Sequence, residues 1–416
     1  MTRNPQTNLQ INGDRLWQSL MEMARIGATD KGGVCRLTLT DLDRQSRDLF
    51  RRWCEEAGCT VSVDPMGNMF ARRPGTDDTL PPVGTGSHLD TQPTGGKFDG
   101  VYGVLAGLEV LRTLNDRQIE TRAPIEVSVW TNEEGARFSP AMVGSGAFAG
   151  VFDLDYALAR TDHDGKTLGE ELTRIGYAGG APLGHPVGAF FEVHIEQGPI
   201  LENEGKTIGV VSGVQGIAWY DVNLTGAESH AGPTPMDLRR DAMHAAAEFA
   251  QRVYALAEPP YGRATIGEFE VKPGSRNTVP GSVRLTVDMR HPDQQTLKSM
   301  DEGLRAAAAE VQRESGVSCE VDHIWTSPPV AFDPDCVAAV AKGADLMGYP
   351  SMPIVSGAGH DAVYVSRVAP TGMVFIPCEN GISHNEIENT LPEQTQAGCN
   401  VLLHAMLERA QSGAKR

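Results

Sequence analysis

Apolar positions along the chain change their period several times, and each change marks a structural element. Between Thr40 and Gly58, Leu42, Leu49, Phe50 and Trp53 share one helical face. Thr40 with Asp43 resembles a capping box, and Gly58 is a stop. A hairpin-like stretch follows around Pro65-Met-Gly67-Asn68. The pattern then predicts a strand over 82–87, a helix from about Val101 to Leu114, and a buried, β-branched strand over 124–130. Strand, crossover helix, strand implies a mostly parallel sheet. In such sheets ligands gather at the carboxyl ends of the strands.

A different pattern begins near Gly213. Strands are predicted over 218–224, 264–271, 283–289 and 318–325, with helices over 237–257 and 292–315. Lys272-Pro-Gly-Ser-Arg276 joins the second and third strands. The order β-α-β-β-α-β is that of a ferredoxin-like α+β sandwich. Ser327-Pro-Pro329 marks the exit. The α/β pattern resumes with a helix from about Pro334 and a last one after Pro392. The expected architecture is therefore an α/β domain of 1–212 and 328–416, interrupted by a smaller domain of 213–327.

Composition narrows the partners. The 416 residues are 40% hydrophobic and carry a net charge of -18. That charge argues against nucleic acid or an anionic membrane as partner, since both attract clustered Lys and Arg. The seven cysteines are odd in number, scattered, and form no Cys-x-x-Cys pair, which suits a reducing compartment and a cytoplasmic location. Met1 to Asn12 lacks the apolar stretch of a secretory signal. No segment approaches membrane-spanning length.

Candidate chemistry centres on Glu133 and Glu134, adjacent carboxylates where the strand over 124–130 ends. Two neighbouring carboxylates repel and call for a cation; if one binds it, the other is left to move a proton. A bare Glu-Glu pair is more often a solvated turn. Here Gly135 follows at once, and His88-Leu-Asp90 ends another apolar strand, with Asp99-Gly100 downstream. His88, Asp90, Asp99, Glu133, Glu134, His194 and His384 form an imidazole and carboxylate set suited to zinc, cobalt, nickel or manganese. Taken singly, His194 reads as a structural histidine at a strand end and His384 as an exposed loop residue. There is no His-Glu-x-x-His helix, no Walker loop and no Gly-x-Ser-x-Gly elbow. A zinc deaminase would need cysteine at 381, where glycine stands.

Together, seven stretches carry a resemblance across almost the whole chain: Gly86-Ser-His-Leu-Asp-Thr91, Gly95-Gly-Lys-Phe-Asp-Gly100, Thr131-Asn-Glu-Glu-Gly135, Phe191-Glu-Val-His-Ile-Glu-Gln-Gly-Pro199, Ser229-His-Ala-Gly-Pro-Thr-Pro-Met236, Ser356-Gly-Ala-Gly-His-Asp361 and Gly381-Ile-Ser-His384. The chain resembles the hydantoinase/carbamoylase-type amidases of the dinuclear-zinc aminoacylase and carboxypeptidase superfamily. The resemblance implies two divalent metal ions per subunit, zinc first, with manganese, cobalt or nickel as alternatives. It implies that His88 and His194 hold one ion, that Glu134 and His384 hold the other, and that Asp99 bridges them. Asp90 would orient His88, and Glu133 would be the general base. The inserted domain would be a lid and dimerisation domain. It would bring His230, from the partner subunit, to the scissile carbonyl oxygen, and Asn277 and Arg290 to the substrate carboxylate. Gln197 would line the substrate pocket, with His360 and Asp361 behind it or in loop structure. By themselves Asn277 reads as a turn residue and Arg290 as a surface charge.

The implied activity is hydrolysis of the carbamoyl C–N bond of N-carbamoyl-L-amino acids by a homodimer. β-Ureidopropionase and allantoate amidohydrolase are the alternatives within the branch. Allantoate enzymes tend to carry an arginine near the place of Ala218-Trp219, and its absence here disfavours that option. A non-catalytic metal-binding scaffold is the reading from another class; the presence of Glu133 and all five implied ligands speaks against it.

Overall fold

The computed structural model describes residues 9–258 and 260–412, so most of the polar Met1–Asn12 stretch lies outside the described residues. The chain divides into two compact units, one of residues 1–212 and 332–416, the other of Gly213–Ala331.

The first unit is built on a mixed sheet. Its centre is four parallel strands in the order Ile125–Trp130, Val83–His88, Ala189–Ile195 and Thr371–Ile376. Every residue of these four strands is buried, as strands covered on both faces require. Antiparallel strands extend both sides. Met69–Arg73 pairs with Ile125–Trp130, and Thr60–Val63 with Met69–Arg73. Ile208–Val214 pairs with Thr371–Ile376. The hairpin-like stretch around Gly67 is thus the turn between the first two strands. Helix Val101–Asp116 packs on the parallel strands, together with Pro392–Ser412; Gly13–Met23 and Pro334–Met347 pack against Pro392–Ser412. Thr40 caps Asp41–Glu56 by accepting from the Asp43 N–H at 3.3 Å. No helix of the described residues is long and apolar enough to cross a membrane.

The second unit has an antiparallel sheet in the order Phe269–Lys272, Ser282–His291, Gly216–Thr225, Ser318–Ser327, with Arg263–Thr265 also on Ser282–His291. Helices Ala242–Ala255 and Gln294–Ser315 cover one face and bury Phe249, Val253, Leu304 and Val311 against Val222, Leu224, Leu285 and Val287. This is the ferredoxin-like order of strands. A separate two-stranded ribbon pairs Ser229–His230 with Thr278–Val279.

Three details differ from the sequence pattern. The stretch over 264–271 is two short strands broken at Gly267, where the Thr286 hydroxyl accepts from the Glu268 N–H at 3.1 Å. The second unit ends at Ala331 and not at 327, because Val330 and Ala331 still pair with Val214 and Gly213. The helix expected from Asp237 starts at Ala242, after a short 3-10 turn at Met236–Leu238. Its cap is Asp241, whose carboxylate accepts from the N–H groups of Met243 (3.0 Å) and His244 (3.1 Å).

That cap is testable. Asp241→Ala leaves two N–H groups of the first turn without the side-chain acceptor and should lower stability by about 1 kcal/mol, while Asp237→Ala should change it by less than about 0.5 kcal/mol. Urea unfolding of the two variants checks this; equal losses would place the helix start at Asp237.

Candidate metal centre

Three of the parallel strands end on polar residues. His88 is the last residue of Val83–His88, Glu133 and Glu134 follow Ile125–Trp130, and His194 is next to last in Ala189–Ile195. Asp99 lies just before helix Val101–Asp116, at a tight approach. Gly100 has φ +68°, and a Cβ there would stand 2.3 Å from the His88 ring. Only glycine fits that position.

The imidazoles are held alike. The Nδ1 of His88 lies 2.8 Å from the Asp90 carbonyl oxygen, and that of His194 lies 2.8 Å from the Ile195 carbonyl oxygen. A carbonyl only accepts, so each Nδ1 carries a proton, and each ring, when neutral, presents its Nε2 lone pair to the centre. The His194 Nε2 stands 3.1 Å from Asp99 Oδ1, and the His88 Nε2 stands 3.8 Å from the same oxygen. The other oxygen of Asp99 faces a different pair. His384 Nε2 is 3.4 Å from Asp99 Oδ2 and 3.4 Å from Glu134 Oε2. His88, Asp99 and His194 thus form one group with metal-binding spacing and Asp99, Glu134 and His384 another, while Glu192, His194 and His360 form a third that shares His194 with the first. His384, half-exposed, takes up a left-handed backbone with φ +53°, a strained conformation for a non-glycine residue.

Glu133 belongs to none of these groups, yet its Oε2 lies 3.5 Å from His88 Nε2. Burial, followed by the charges of Asp361, Glu134, Asp90 and Asp99, pushes its carboxyl well above the usual range. Burial and the charges of Asp99 and Asp90 do the same to Glu134, although Gln92 donates to it through its backbone N–H (3.1 Å) and its side-chain amide (2.8 Å). Burial lowers the His88 imidazole to about 4. Burial alone would also lower His194, but its hydrogen bond to Asp99 and the charges of Asp99 and Glu192 raise it to about 9. Asp99, whose burial opposes ionisation, is held well below the usual carboxylate range by the His194 hydrogen bond and the charges of His194, His88 and His384. So many carboxylates pressed together fit a cation, and imidazole plus carboxylate donors fit a borderline divalent one.

Asp90 acts differently from the expectation that its carboxylate orients His88. That carboxylate lies 3.9 Å from His88 Nδ1, and the hydrogen bond to the ring comes from the Asp90 carbonyl. The carboxylate instead accepts from the N–H groups of Glu133 and Glu134, both at 3.3 Å. Burial and the Asp43 charge raise it to about 7, against the pull of Arg47 and those two N–H groups.

Gln197 also faces the centre. Its amide nitrogen donates to Asp99 Oδ2 at 3.0 Å and to the Ser383 hydroxyl at 3.2 Å, while its buried carbonyl oxygen has no hydrogen-bond partner among the described residues. His360 packs its ring 4.7 Å from that of His194 and bonds to the Ser356 hydroxyl. The Asp361 carboxylate accepts from the Ser145 hydroxyl.

Three expected site residues lie in the second unit. His230 lies on the two-stranded ribbon opposite Thr278, and Asn277 just precedes that strand, where its carbonyl accepts from the Ala231 N–H at 2.9 Å. Arg239 braces the loop after His230 by donating to the Ala231 and Thr234 carbonyls. Arg290 lies in Ser282–His291, and its guanidinium donates to the Asp288 carboxylate, at 3.0 Å from Nε and 2.8 Å from Nη2. The same carboxylate accepts from the Trp219 indole N–H at 3.0 Å.

Sequence reasoning missed Gln92, Glu192, Ser383 and Glu388. Glu192 is buried in mid-strand and accepts from the Ser87 hydroxyl (2.7 Å) and the Ala362 N–H (3.0 Å). Its signal was a lone charge within Ala189-Phe-Phe-Glu-Val193, a run too apolar to expose it.

The sequence profile of peptidase family M20/M25/M40 matches residues 84–408. An N-carbamoyl-L-amino-acid amidohydrolase of Rhizobium meliloti is 52% identical over 410 residues, 98% of this chain and 99% of that protein. The enzyme of that name from Geobacillus stearothermophilus is 36% identical over 96% of this chain and 99% of its own length. The crystal structure of a hydantoinase/carbamoylase family amidase from Burkholderia multivorans superposes with a TM-score of 0.95 at 60% identity, covering 97% of this chain and 98% of that one.

The two groups that share Asp99 predict separable effects for the adjacent glutamates. Glu134→Gln should reduce bound divalent metal after dialysis, whereas Glu133→Gln should leave metal content nearly intact, as metal analysis by atomic emission would show; the opposite result would exchange the two roles. The chain belongs to peptidase family M20/M25/M40, among its hydantoinase/carbamoylase amidases, and is a hydrolase of amide C–N bonds.

Proposed function

We propose that the chain hydrolyses N-carbamoyl-L-amino acids to amino acid, ammonia and carbon dioxide. The observation that carries this reading is Asp99, which turns one oxygen to His88 and His194 and the other to His384, with Glu133 beside His88 and outside both groups. The two similar N-carbamoyl-L-amino-acid amidohydrolases support the choice of substrate.

In this reading His88, His194, Asp99, Glu134 and His384 would hold two divalent ions, zinc first. Bound there, the ions supply Lewis-acid polarisation of the carbamoyl carbonyl and lower the pKa of water. Glu133 takes a proton from the attacking water and returns it to the leaving nitrogen. Burial and like charges make this carboxyl bind a proton more firmly than an exposed one. Asp90 keeps Glu133 in place through its backbone N–H. The unpaired carbonyl oxygen of Gln197 can accept from the carbamoyl NH₂.

On the second unit, Arg290 and Asn277 receive the substrate carboxylate, and His230 donates to the carbonyl oxygen. For Arg290 the carboxylate of the substrate competes with that of Asp288. The planar guanidinium pairs with a carboxylate through two parallel bonds, which an ammonium cannot copy.

An ammonia-release screen tests the substrate. Protein stripped of metal and resupplied with Zn²⁺, Mn²⁺, Co²⁺ or Ni²⁺ is offered N-carbamoyl-L-amino acids, N-carbamoyl-β-alanine and allantoate. N-carbamoyl-L-amino acids should turn over fastest, and preference for either other compound would overturn the assignment. Arg290→Lys should lower kcat/KM for the preferred substrate about 10- to 100-fold, the loss of a hydrogen bond to a charged group. It should matter far less for the same compound with its carboxylate replaced by a neutral amide. Equal losses on both would make Arg290 structural.

The active form in this reading is a homodimer joined through Gly213–Ala331, with His230 supplied by the partner subunit. Mixed Glu133→Gln and His230→Ala subunits, each inactive alone, should then regain activity, because one site per heterodimer is whole. Absence of recovery after verified subunit exchange would put His230 in its own subunit's site.

A further inference from the structure

Glu388 is a buried carboxylate, 1% exposed, four residues beyond His384. Burial of such a group is unfavourable unless its oxygens are bonded, and its bonds all lead to the metal centre. One oxygen accepts from the backbone N–H groups of Phe98 (2.9 Å) and Asp99 (3.1 Å). The other accepts from the Ser383 hydroxyl at 3.2 Å. Ser383 also lies 3.0 Å from Asp99 Oδ2, so its single proton is shared between the two carboxylates. The fit is close: a Cβ on Gly96 would stand 2.1 Å from the Glu388 carboxylate. Asp99 belongs to two of the groups with metal-binding spacing and His384 to one of those two. Their loops come from opposite ends of the chain, and Glu388 joins them.

We infer that Glu388 is a positioning residue, a strut that fixes the Asp99 backbone against the Ser383-His384 loop and so sets the spacing of the Asp99, Glu134 and His384 group. This rests on the reading of that group as a metal site. Glu388 touches neither substrate nor ion. Its task is to accept at both oxygens in one geometry, so its charge is dispensable. In Glu388→Gln the amide oxygen can accept from Phe98 and Asp99, and the amide nitrogen can donate to the Ser383 oxygen, which then donates to Asp99. Glu388→Ala removes the strut.

The test has two readouts besides activity. In equilibrium dialysis with Zn²⁺, wild-type protein should bind two ions per chain. Glu388→Ala should keep one with little change and hold the other about 10- to 100-fold more weakly, the range seen when a partner behind a ligand is lost. Glu388→Gln should stay near wild type. In metal-free protein, amide hydrogen exchange over residues 95–101 should speed up in Glu388→Ala and not in Glu388→Gln. Should Glu388→Ala fail to fold, Ser383→Ala cuts the same link from the other side and should weaken the same ion without speeding exchange at 95–101. The inference is overturned if Glu388→Ala, or Ser383→Ala in its place, binds both ions as tightly as wild type. It is also overturned if Glu388→Gln loses the ion as Glu388→Ala does, since charge and not geometry would then be at work. Wild-type protein that binds no divalent ion would instead overturn the metal reading, and the exchange comparison would still decide whether the strut exists.

Discussion

Carboxylates that repel one another are packed into one buried place, and the rest of the first unit is organised around that constraint. Glu133 is surrounded by Asp361, Glu134, Asp90 and Asp99. Buried like charges are tolerated only when protonated, bonded or bound to a cation. The chain bonds some of them and offers the others a place for a cation. Backbone N–H groups bond Asp90 and Glu388, imidazoles flank Asp99, and the geometry of two donor groups fits divalent ions.

The scaffold suits that task because it is rigid where the donors begin. Three of the four buried parallel strands deliver His88, Glu133, Glu134 and His194 to one edge. Backbone carbonyls fix the tautomers of His88 and His194, so neither ring depends on a mobile side chain for its orientation. Only His384 comes from a loop with strained backbone, and that loop is the one tied down by Ser383, Gln197 and Glu388.

What was legible in the sequence follows the range of the interactions concerned. The strand ending at His88 and the helix beginning at Val101 are written in local apolar pattern and were read within a residue or two. The ferredoxin-like order of the second unit was readable for the same reason. Local signals misplaced the start of helix Ala242–Ala255, since Asp237 and Asp241 are equally good caps by residue type, and packing after the turn at Met236–Leu238 decided between them. The Gln92 bonds to Glu134, the Glu192 bond to Ser87 and the Glu388 bonds to Asp99 were not legible, because they join segments far apart in sequence. The reach of Asp90 was misread for a related reason: its side chain points past His88 to a different strand's end.

Asp99 and Glu388 are separated by 289 positions along the chain. Closing so long a loop has an entropic cost that grows only slowly with its length, and the contact joins the two arms of the first unit. Ions that bind this folded centre and not the open chain therefore add their binding free energy to the cooperativity of the first unit. The Gly213–Ala331 unit has its own core. Ion activity would then act as a thermodynamic lever on the folding of the first unit.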